Sequence, residues 1–276
     1  MPHCTTRDGN SIHVKDNGEG RTVVFIHGWP LTGDMFEYQS LALLEAGYRV
    51  ITYDRRGFGQ SSHPAHGYDY DTFADDLADV MAALGVTDAT MVGHSMGNGE
   101  IARYVTRHGA SRVARIVMAA PSLPFMLNRA DNPDGPSTAA RTKEWQALWA
   151  TNWVDWLGQA VPAAYGPDAS LARVDQTLRV MLQTPPHVAI QVNNAVVETD
   201  FRAELRQIAT PTLVLHGDVD QSCPQDATGG KLPDLMPNCR LKVYPGADHT
   251  FIGGHARQIA DDTLAFIAET ARAAAA

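Results

Sequence analysis

The stretch MVGHSMGNGE, residues 91–100, holds a single serine, Ser95, with one glycine two positions before it and another two positions after it. Residues 89–95 predict a strand, and residues 96–108 have the pattern of a helix. A serine in a tight strand-to-helix turn adopts a strained backbone conformation, and flanking glycines leave room where side chains would collide. We interpret the stretch as a turn that presents the Ser95 hydroxyl at the carboxyl edge of a sheet. A glycine-rich turn that only packs is the alternative.

Patterns typical of strands and helices alternate on both sides of this turn. Short runs of apolar and β-branched residues predict strands that are buried in a sheet. The predicted strands are SIHVKDNG (11–18), RTVVFIHG (21–28), YRVITYD (48–54), ATMVGHS (89–95), RIVMAAPS (115–122), TPTLVLHGD (210–218) and CRLKVYPG (239–246). The predicted helices cover residues 34–46, 72–85, 96–108 and 256–271. This alternation predicts an α/β fold with a mostly parallel central sheet and helices on both faces.

The alternation stops between residues 123 and 207, where helical patches and scattered prolines replace the strand signals. We therefore predict a core of residues 1–122 and 208–276, with a helical cap of residues 123–207 inserted into it. The cap contains four tryptophans: Trp145, Trp149, Trp153 and Trp156. Such a large apolar surface predicts packing within the cap and onto the core, with one or two of the rings lining a pocket as the alternative.

Two later loops supply partners for Ser95. A serine hydroxyl is a weak nucleophile at neutral pH and needs a base, which in turn needs a group to orient it. The stretch TLVLHGDVDQS supplies Asp218 and Asp220, and VYPGADHTF supplies His249. Both follow strands that end on the same edge of the sheet as Ser95, in the order serine, acid, histidine. We predict a catalytic triad of Ser95, His249 and Asp220; a turn histidine that caps the last helix is the alternative for His249.

Two neighbouring aspartates are assigned to turns instead. Asp218 directly follows Gly217, so we expect its carboxylate to shape the turn. Asp248 adjoins His249 in sequence, so its side chain is expected to point away from the imidazole. Asp220 is therefore the acid that we predict for the triad.

Acyl transfer also needs hydrogen-bond donors for the negative charge that develops on the carbonyl oxygen. In FIHGWP, residues 25–30, the predicted strand ends before Trp29, which offers a backbone N–H, whereas Pro30 has none. The amide of Met96, at the start of a predicted helix, is the second candidate donor. We predict an oxyanion hole formed by the Trp29 and Met96 amides; an ordinary strand-ending turn is the alternative for HGWP.

The composition argues against several classes of function. The 276 residues carry a net charge of −9 without any basic cluster, so a nucleic-acid partner is not expected. The cysteines lack the spacing of metal ligands and predict free thiols in a reducing compartment. No apolar segment has the length of a membrane span, and the first residues lack an apolar signal core. We therefore expect a cytoplasmic protein with no metal and no membrane partner. The three cysteines are Cys4, Cys223 and Cys239.

The motifs HGWP, DRRGFGQS, GHSMGNGE, LHGDVD and GADH occur in this order, and together they resemble the α/β-hydrolase fold family. The chain is most similar to its cofactor-free branch of non-haem haloperoxidases, perhydrolases and aryl esterases. The resemblance covers residues 25–120 and 210–251 densely and the cap only loosely, apart from NPDG at 132–135. His94 departs from the pattern, because many members of this branch have an aromatic residue there.

The resemblance implies that Ser95, His249 and Asp220 hydrolyse carboxylic esters through an acyl-enzyme, without a metal or an organic cofactor. It also implies a side activity in which hydrogen peroxide replaces water and a peracid forms. We expect a small neutral ester or lactone as substrate, in a pocket lined by Trp29, Phe125 and Phe251. Lactone or amide opening by the same triad stays open, as does a slow or non-catalytic ligand receptor on this scaffold. The oligomeric state, a homo-oligomer included, also stays open.

Overall fold

The computed structural model describes residues 3–165 and 170–275, without the side chains of residues 251, 252 and 273–275. These residues form eight strands: β1 (His3–Thr5), β2 (Ser11–Asn17), β3 (Thr22–Ile26), β4 (Arg49–Tyr53), β5 (Ala89–His94), β6 (Val113–Ala119), β7 (Thr212–Gly217) and β8 (Cys239–Tyr244). They make one sheet in the order β1-β2-β4-β3-β5-β6-β7-β8. Only the β1–β2 and β2–β4 pairs are antiparallel. The predicted α/β fold with a mostly parallel sheet is confirmed.

Helices cover both faces of the sheet. The described helices are α1 (Glu37–Glu45), α2 (Tyr70–Ala83), α3 (Gly97–His108), α4 (Ala139–Tyr165), α5 (Leu171–Met181), α6 (Pro186–Glu198), α7 (Arg202–Leu205), α8 (Leu232–Leu235), α9 (Phe251–Gly254) and α10 (Ala256–Ala275). A short 3-10 helix, Gly33–Phe36, precedes α1, so the helix predicted over 34–46 begins with a tighter turn. None of the described helices has the length and apolar character needed to cross a lipid bilayer.

Side chains of the strands alternate between two apolar cores, one on each face. In β3, Val24 and Ile26 pack in the core that includes side chains of α2 and α3. Val23 and Phe25 pack in the opposite core, with side chains of α1 and α10. Every residue of β3, β5 and β7 is buried, which is why their sequences are continuous apolar runs. The carboxyl ends of these buried parallel strands hold the candidate site.

The helical segment between β6 and β7 has an apolar cluster of its own. Trp149, Trp153, Leu157 and Val161 of α4 pack there against Ala189 of α6. Residue Asn152, at φ −139°, interrupts the helical backbone of α4, so its two halves run in different directions. The segment corresponds to the predicted cap, and its division from the core at residues 123 and 207 stays a prediction.

Hydrogen bonds join this segment to the loop that follows β3. The Trp29 Nε1–H donates to the Ala189 carbonyl at 3.1 Å, and the Thr184 hydroxyl donates to the Pro30 carbonyl at 3.1 Å. Nearby, Trp153 Nε1–H donates to the Thr184 carbonyl at 2.9 Å. The HGWP loop and the helical segment therefore form one continuous wall beside the end of β5.

Candidate active site

Ser95 lies between the end of β5 and the start of α3, with φ at +52°. This left-handed conformation is uncommon for a residue with a side chain and marks local strain. Neighbours hold the turn in place, because the Ser95 amide donates to the Ala119 carbonyl at 3.0 Å and Asn98 Nδ2 donates to the Ser95 carbonyl at 3.0 Å. A Cβ atom at Gly93 would collide with the Asn98 side chain, and one at Gly97 with the Ile26 carbonyl. Any residue with a side chain would therefore collide with a neighbour at Gly93 or Gly97.

The structure brings Ser95, His249 and Asp220 together. The distance from His249 Nε2 to Ser95 Oγ is 3.1 Å, and that from His249 Nδ1 to Asp220 Oδ2 is 2.7 Å. A carboxylate can only accept, so Nδ1 carries the proton and Nε2 is free to accept the serine proton. Asp220 is buried, whereas the His249 side chain is 21% exposed. This arrangement can deprotonate the hydroxyl and stabilise the imidazolium that results.

Asp220 is held by four donors. The backbone amides of Ser222 and Cys223 donate to Oδ1 at 2.9 and 2.8 Å. Oδ2 accepts from His249 and from His216 Nε2, the latter at 3.2 Å. Burial alone would raise the pKa of Asp220, but the hydrogen bonds from His216 and His249 outweigh it and hold the pKa well below its ordinary value. The carboxylate is therefore ionised and fixed in one orientation.

His216 is a site residue that sequence reasoning missed. Its Nε2 faces two acceptors, Asp220 Oδ2 and the Cys223 carbonyl at 2.9 Å, so this nitrogen carries the proton. The ring is fully buried and lies against Gly229, where a Cβ atom would collide with Nδ1. The position of His216 at the end of β7, four residues before Asp220, was the only available signal.

Replacing His216 with leucine is expected to lower kcat about 10-fold, equivalent to about 1.4 kcal/mol, because Asp220 loses a donor. The hydrogen bond from His216 also holds down the pKa of Asp220, so its loss should move the acid limb of the kcat profile to higher pH. The matched variant His216→Gln keeps an N–H donor and should retain most of the activity and the wild-type profile. Equal losses in both variants, with no change in the pH profile, would contradict this role.

Asp218 and Asp248 have the turn contacts that the sequence predicts. Asp218 Oδ1 accepts from the Gly246 amide at 2.7 Å, which joins the loops after β7 and β8. Asp248 Oδ1 accepts from the Thr250 amide at 2.8 Å. Both carboxylates are thereby engaged with backbone groups, and Asp220 is the aspartate that contacts His249.

The two predicted oxyanion donors belong to two chain segments, one after β3 and one before α3. Trp29 and Met96 both line the cavity that contains Ser95. Within the described residues, no carbonyl accepts a hydrogen bond from either backbone amide. Behind them, Arg55 donates from Nη2 to the His27 carbonyl at 2.9 Å and lies 3.7 Å from Met96 Sδ. The buried guanidinium thus supports both chain segments, and the oxyanion role of the two amides stays a prediction.

A cavity of about 740 Å³ opens above Ser95 and His249. Trp29 and Trp156 line it, so one of the four tryptophans in the predicted cap contributes to the wall. Phe125 does not line the cavity, contrary to the prediction: the ring is buried against the guanidinium groups of Arg129 and Arg202, and Met126 lines the wall instead. The side chain of the third predicted pocket residue, Phe251, lies outside the described residues.

His94 is a neutral side chain beside the triad. Burial, followed by the nearby His249, lowers its pKa to about 3. His94 Nε2–H donates to the His249 carbonyl at 3.2 Å, and the two rings are 5.0 Å apart. The histidine that departs from the haloperoxidase pattern therefore packs as an aromatic ring and adds a hydrogen bond to the His249 backbone.

The part of the chain that the structure describes contains no group of three His, Cys, Asp or Glu side chains that could bind a metal ion. We therefore assign no metal ligands. The three cysteines are free thiols.

Comparison with known proteins places this geometry in a family. A family described as the alpha/beta hydrolase fold matches residues 21–256. The chain belongs to the α/β-hydrolase family. Non-heme chloroperoxidase CPO-A1 from Kitasatospora aureofaciens is 42% identical over 97% of this chain and 99% of its own. The bifunctional esterase/perhydrolase DCH from Acinetobacter calcoaceticus is 36% identical over 97% of this chain and 99% of its own.

Solved structures of this family agree with the fold. The crystal structure of bromoperoxidase from Bacillus anthracis superimposes with a TM-score of 0.92 at 34% identity, covering 96% of this chain and 99% of that one. The resemblance to the haloperoxidase and esterase branch is confirmed, since close relatives along nearly the whole chain have those names. The chain is thus an α/β hydrolase of the serine-hydrolase type.

Proposed function

We propose that this α/β hydrolase cleaves carboxylic esters through an acyl-enzyme formed on Ser95. The observation that carries the proposal is the hydrogen-bonded series from Ser95 Oγ through His249 to Asp220, at 3.1 and 2.7 Å. It lies at the floor of an open, mostly apolar cavity, so that a bound ester carbonyl can reach the hydroxyl.

In the acylation step, Ser95 Oγ attacks the carbonyl carbon while its proton moves to His249 Nε2. The Nδ1–H of His249 stays bonded to Asp220, which stabilises the positive imidazolium. The oxyanion accepts hydrogen bonds from the Trp29 and Met96 amides. As the bond from the carbonyl carbon to the leaving oxygen breaks, His249 returns the proton to the departing alcohol.

Deacylation repeats these steps with water. His249 Nε2 accepts a proton from water, the hydroxide oxygen bonds to the acyl carbon, and the bond to Ser95 Oγ breaks as Oγ regains its proton. Hydrogen peroxide can replace water in this step, in which case the product is a peracid. The names of the relatives, which include esterase/perhydrolase and haloperoxidase, support this as a side activity.

The substrate that we propose is a neutral ester or lactone. The cavity wall is dominated by apolar side chains, and the described chain has no cationic side chain beside Ser95 that would select an anion. Lactone or amide opening would use the same proton transfers, with a different leaving group. We further propose a cytoplasmic location, which the three free thiols support.

A fluorophosphonate probe tests the proposal directly. We expect one adduct, located on Ser95 by peptide mass, together with rapid hydrolysis of p-nitrophenyl acetate and butyrate. An adduct on Ser95 without turnover would favour a ligand receptor over an esterase. An unlabelled protein would show that Ser95, His249 and Asp220 do not act as a triad.

A further inference from the structure

One lobe of the cavity runs along the α4–α5 pair, away from Ser95. Its inner end is fixed beside the HGWP loop, because the ring of Trp156 lies 6.3 Å from that of Trp29. At the outer end of the pair, the Tyr165 and Thr177 hydroxyls are hydrogen-bonded at 2.9 Å. Trp29, Trp156, Tyr165 and Thr177 all line the same cavity. The lobe therefore extends from the catalytic serine toward the outer end of the α4–α5 pair.

The length of the lobe follows from helix geometry. The lining residues of α4 extend from Trp156 to Tyr165, and nine steps of about 1.5 Å give about 13.5 Å. Between these ends, α4 contributes small or aliphatic side chains, Leu157, Ala160 and Val161 among them. The facing helix α5 contributes two further apolar side chains at its inner end, Val180 and Met181. The sides of the lobe formed by α4 and α5 are thus apolar up to the Tyr165–Thr177 pair.

From this shape, and resting on the proposed esterase function, we propose that the lobe binds one linear hydrocarbon chain of the substrate, about eight to ten carbons long. An extended chain advances about 1.3 Å per carbon–carbon bond, given a bond length of about 1.5 Å, so about ten bonds fill about 13 Å. The whole cavity, about 740 Å³, has the size of pockets that enclose drug-sized ligands and far exceeds an acetyl group.

The chemistry of the wall favours a chain over a polar substituent. A polar group placed beside Leu157 and Val161 would lose its hydrogen bonds to water without gaining others, whereas methylene groups gain by leaving water. On α5, the polar lining residues Gln176 and Arg173 lie toward the outer end of the lobe. The free end of the chain would therefore meet solvent there, and longer chains would gain little.

Two substrate series test the chain site and show which side of the ester enters it. One series is p-nitrophenyl esters from acetate to dodecanoate, and the other is n-alkyl acetates from ethyl to dodecyl, all below their critical micelle concentrations. Burial of one methylene group strengthens binding by up to about fourfold. We expect kcat/KM in one series to rise at least about 30-fold from two to eight carbons and to level off near ten.

A blocking variant tests the location. Ala160 is half-buried in the middle of the lobe, so the larger side chain in Ala160→Phe should fill the lobe. The rise in kcat/KM for eight-carbon substrates should then disappear, while kcat/KM for p-nitrophenyl acetate stays within about threefold of wild type. Ala150→Phe is the matched control, because Ala150 is exposed on the same helix and does not line the cavity. Ala164→Phe provides a second block if Ala160→Phe fails to fold.

The outcomes separate this proposal from the proposed function. If Ser95 hydrolyses p-nitrophenyl acetate but kcat/KM rises with chain length in neither series, the chain site is overturned and the esterase function stands. A rise that the blocking variants leave unchanged would also overturn the site, because the chain would then bind elsewhere. If p-nitrophenyl acetate is not hydrolysed and Ser95 is not labelled, the proposed function itself fails.

Discussion

Replacing Ser95 with alanine is expected to lower kcat for p-nitrophenyl acetate by about 10³-fold or more. The substitution removes the hydroxyl that we propose forms the acyl-enzyme, while His249 and Asp220 stay in place. The residual rate would come from substrate binding and from the two amides at Trp29 and Met96. The measurement is initial-rate kinetics on purified protein, with single-turnover experiments to separate acylation from product release.

A second serine in the cavity provides the control for Ser95→Ala. Ser137 also lines the cavity, but no histidine among the described residues forms a hydrogen bond with its hydroxyl. Ser137→Ala should therefore keep kcat within about threefold of wild type. Both variants should unfold at nearly the wild-type temperature, since each loses one hydroxyl group. Wild-type turnover in Ser95→Ala would show that another group is the nucleophile and would end the acyl-enzyme proposal.

The sequence was sufficient for the fold because its central strands are buried on both faces. Such strands are continuous apolar runs, and β3, β5 and β7 lie within the predicted ranges. The outermost strand β1 was missed, since its three residues, HCT, are too short to show a pattern. The break in α4 at Asn152 was also invisible, because neither proline nor glycine occupies that position.

The meeting of Ser95, Asp220 and His249 could be predicted because they follow the carboxyl ends of β5, β7 and β8, which the parallel sheet brings to one edge. Two other features depend on contacts between distant residues. His216 reaches Asp220 only because Gly229 leaves room for its ring. Met126 rather than Phe125 lines the cavity, and both residues lie in a loop without regular periodicity. In such a loop, the sequence pattern does not show which side chain points inward.

Beneath the site, a buried ion pair joins the HGWP loop to the serine turn. Arg55 and Glu100 are both fully buried, and Arg55 Nε donates to Glu100 Oε2 at 2.5 Å. Glu100, one turn into α3, also accepts from the Tyr53 hydroxyl. Arg55 extends the network to the His27 carbonyl, at 2.9 Å. Each charge is thus compensated, and the pair fixes the position of the loop relative to α3.

Breaking the Arg55–Glu100 ion pair should strongly lower the free energy of unfolding. Glu100→Leu leaves the Arg55 charge buried without its carboxylate, and we expect the free energy of unfolding to fall by about 3–5 kcal/mol. Arg55→Met should cost a similar amount, since Glu100 then keeps only its bond from Tyr53.

The double variant Arg55→Met/Glu100→Leu distinguishes a buried charge from lost packing. It removes both charges and leaves apolar side chains of similar volume, so its loss should be much smaller than the sum of the single losses. Urea unfolding monitored by circular dichroism measures all three variants and wild type. Additive losses would mean that packing rather than pairing stabilises this region. A loss below about 1 kcal/mol in Glu100→Leu would mean that water reaches Arg55 and compensates its charge.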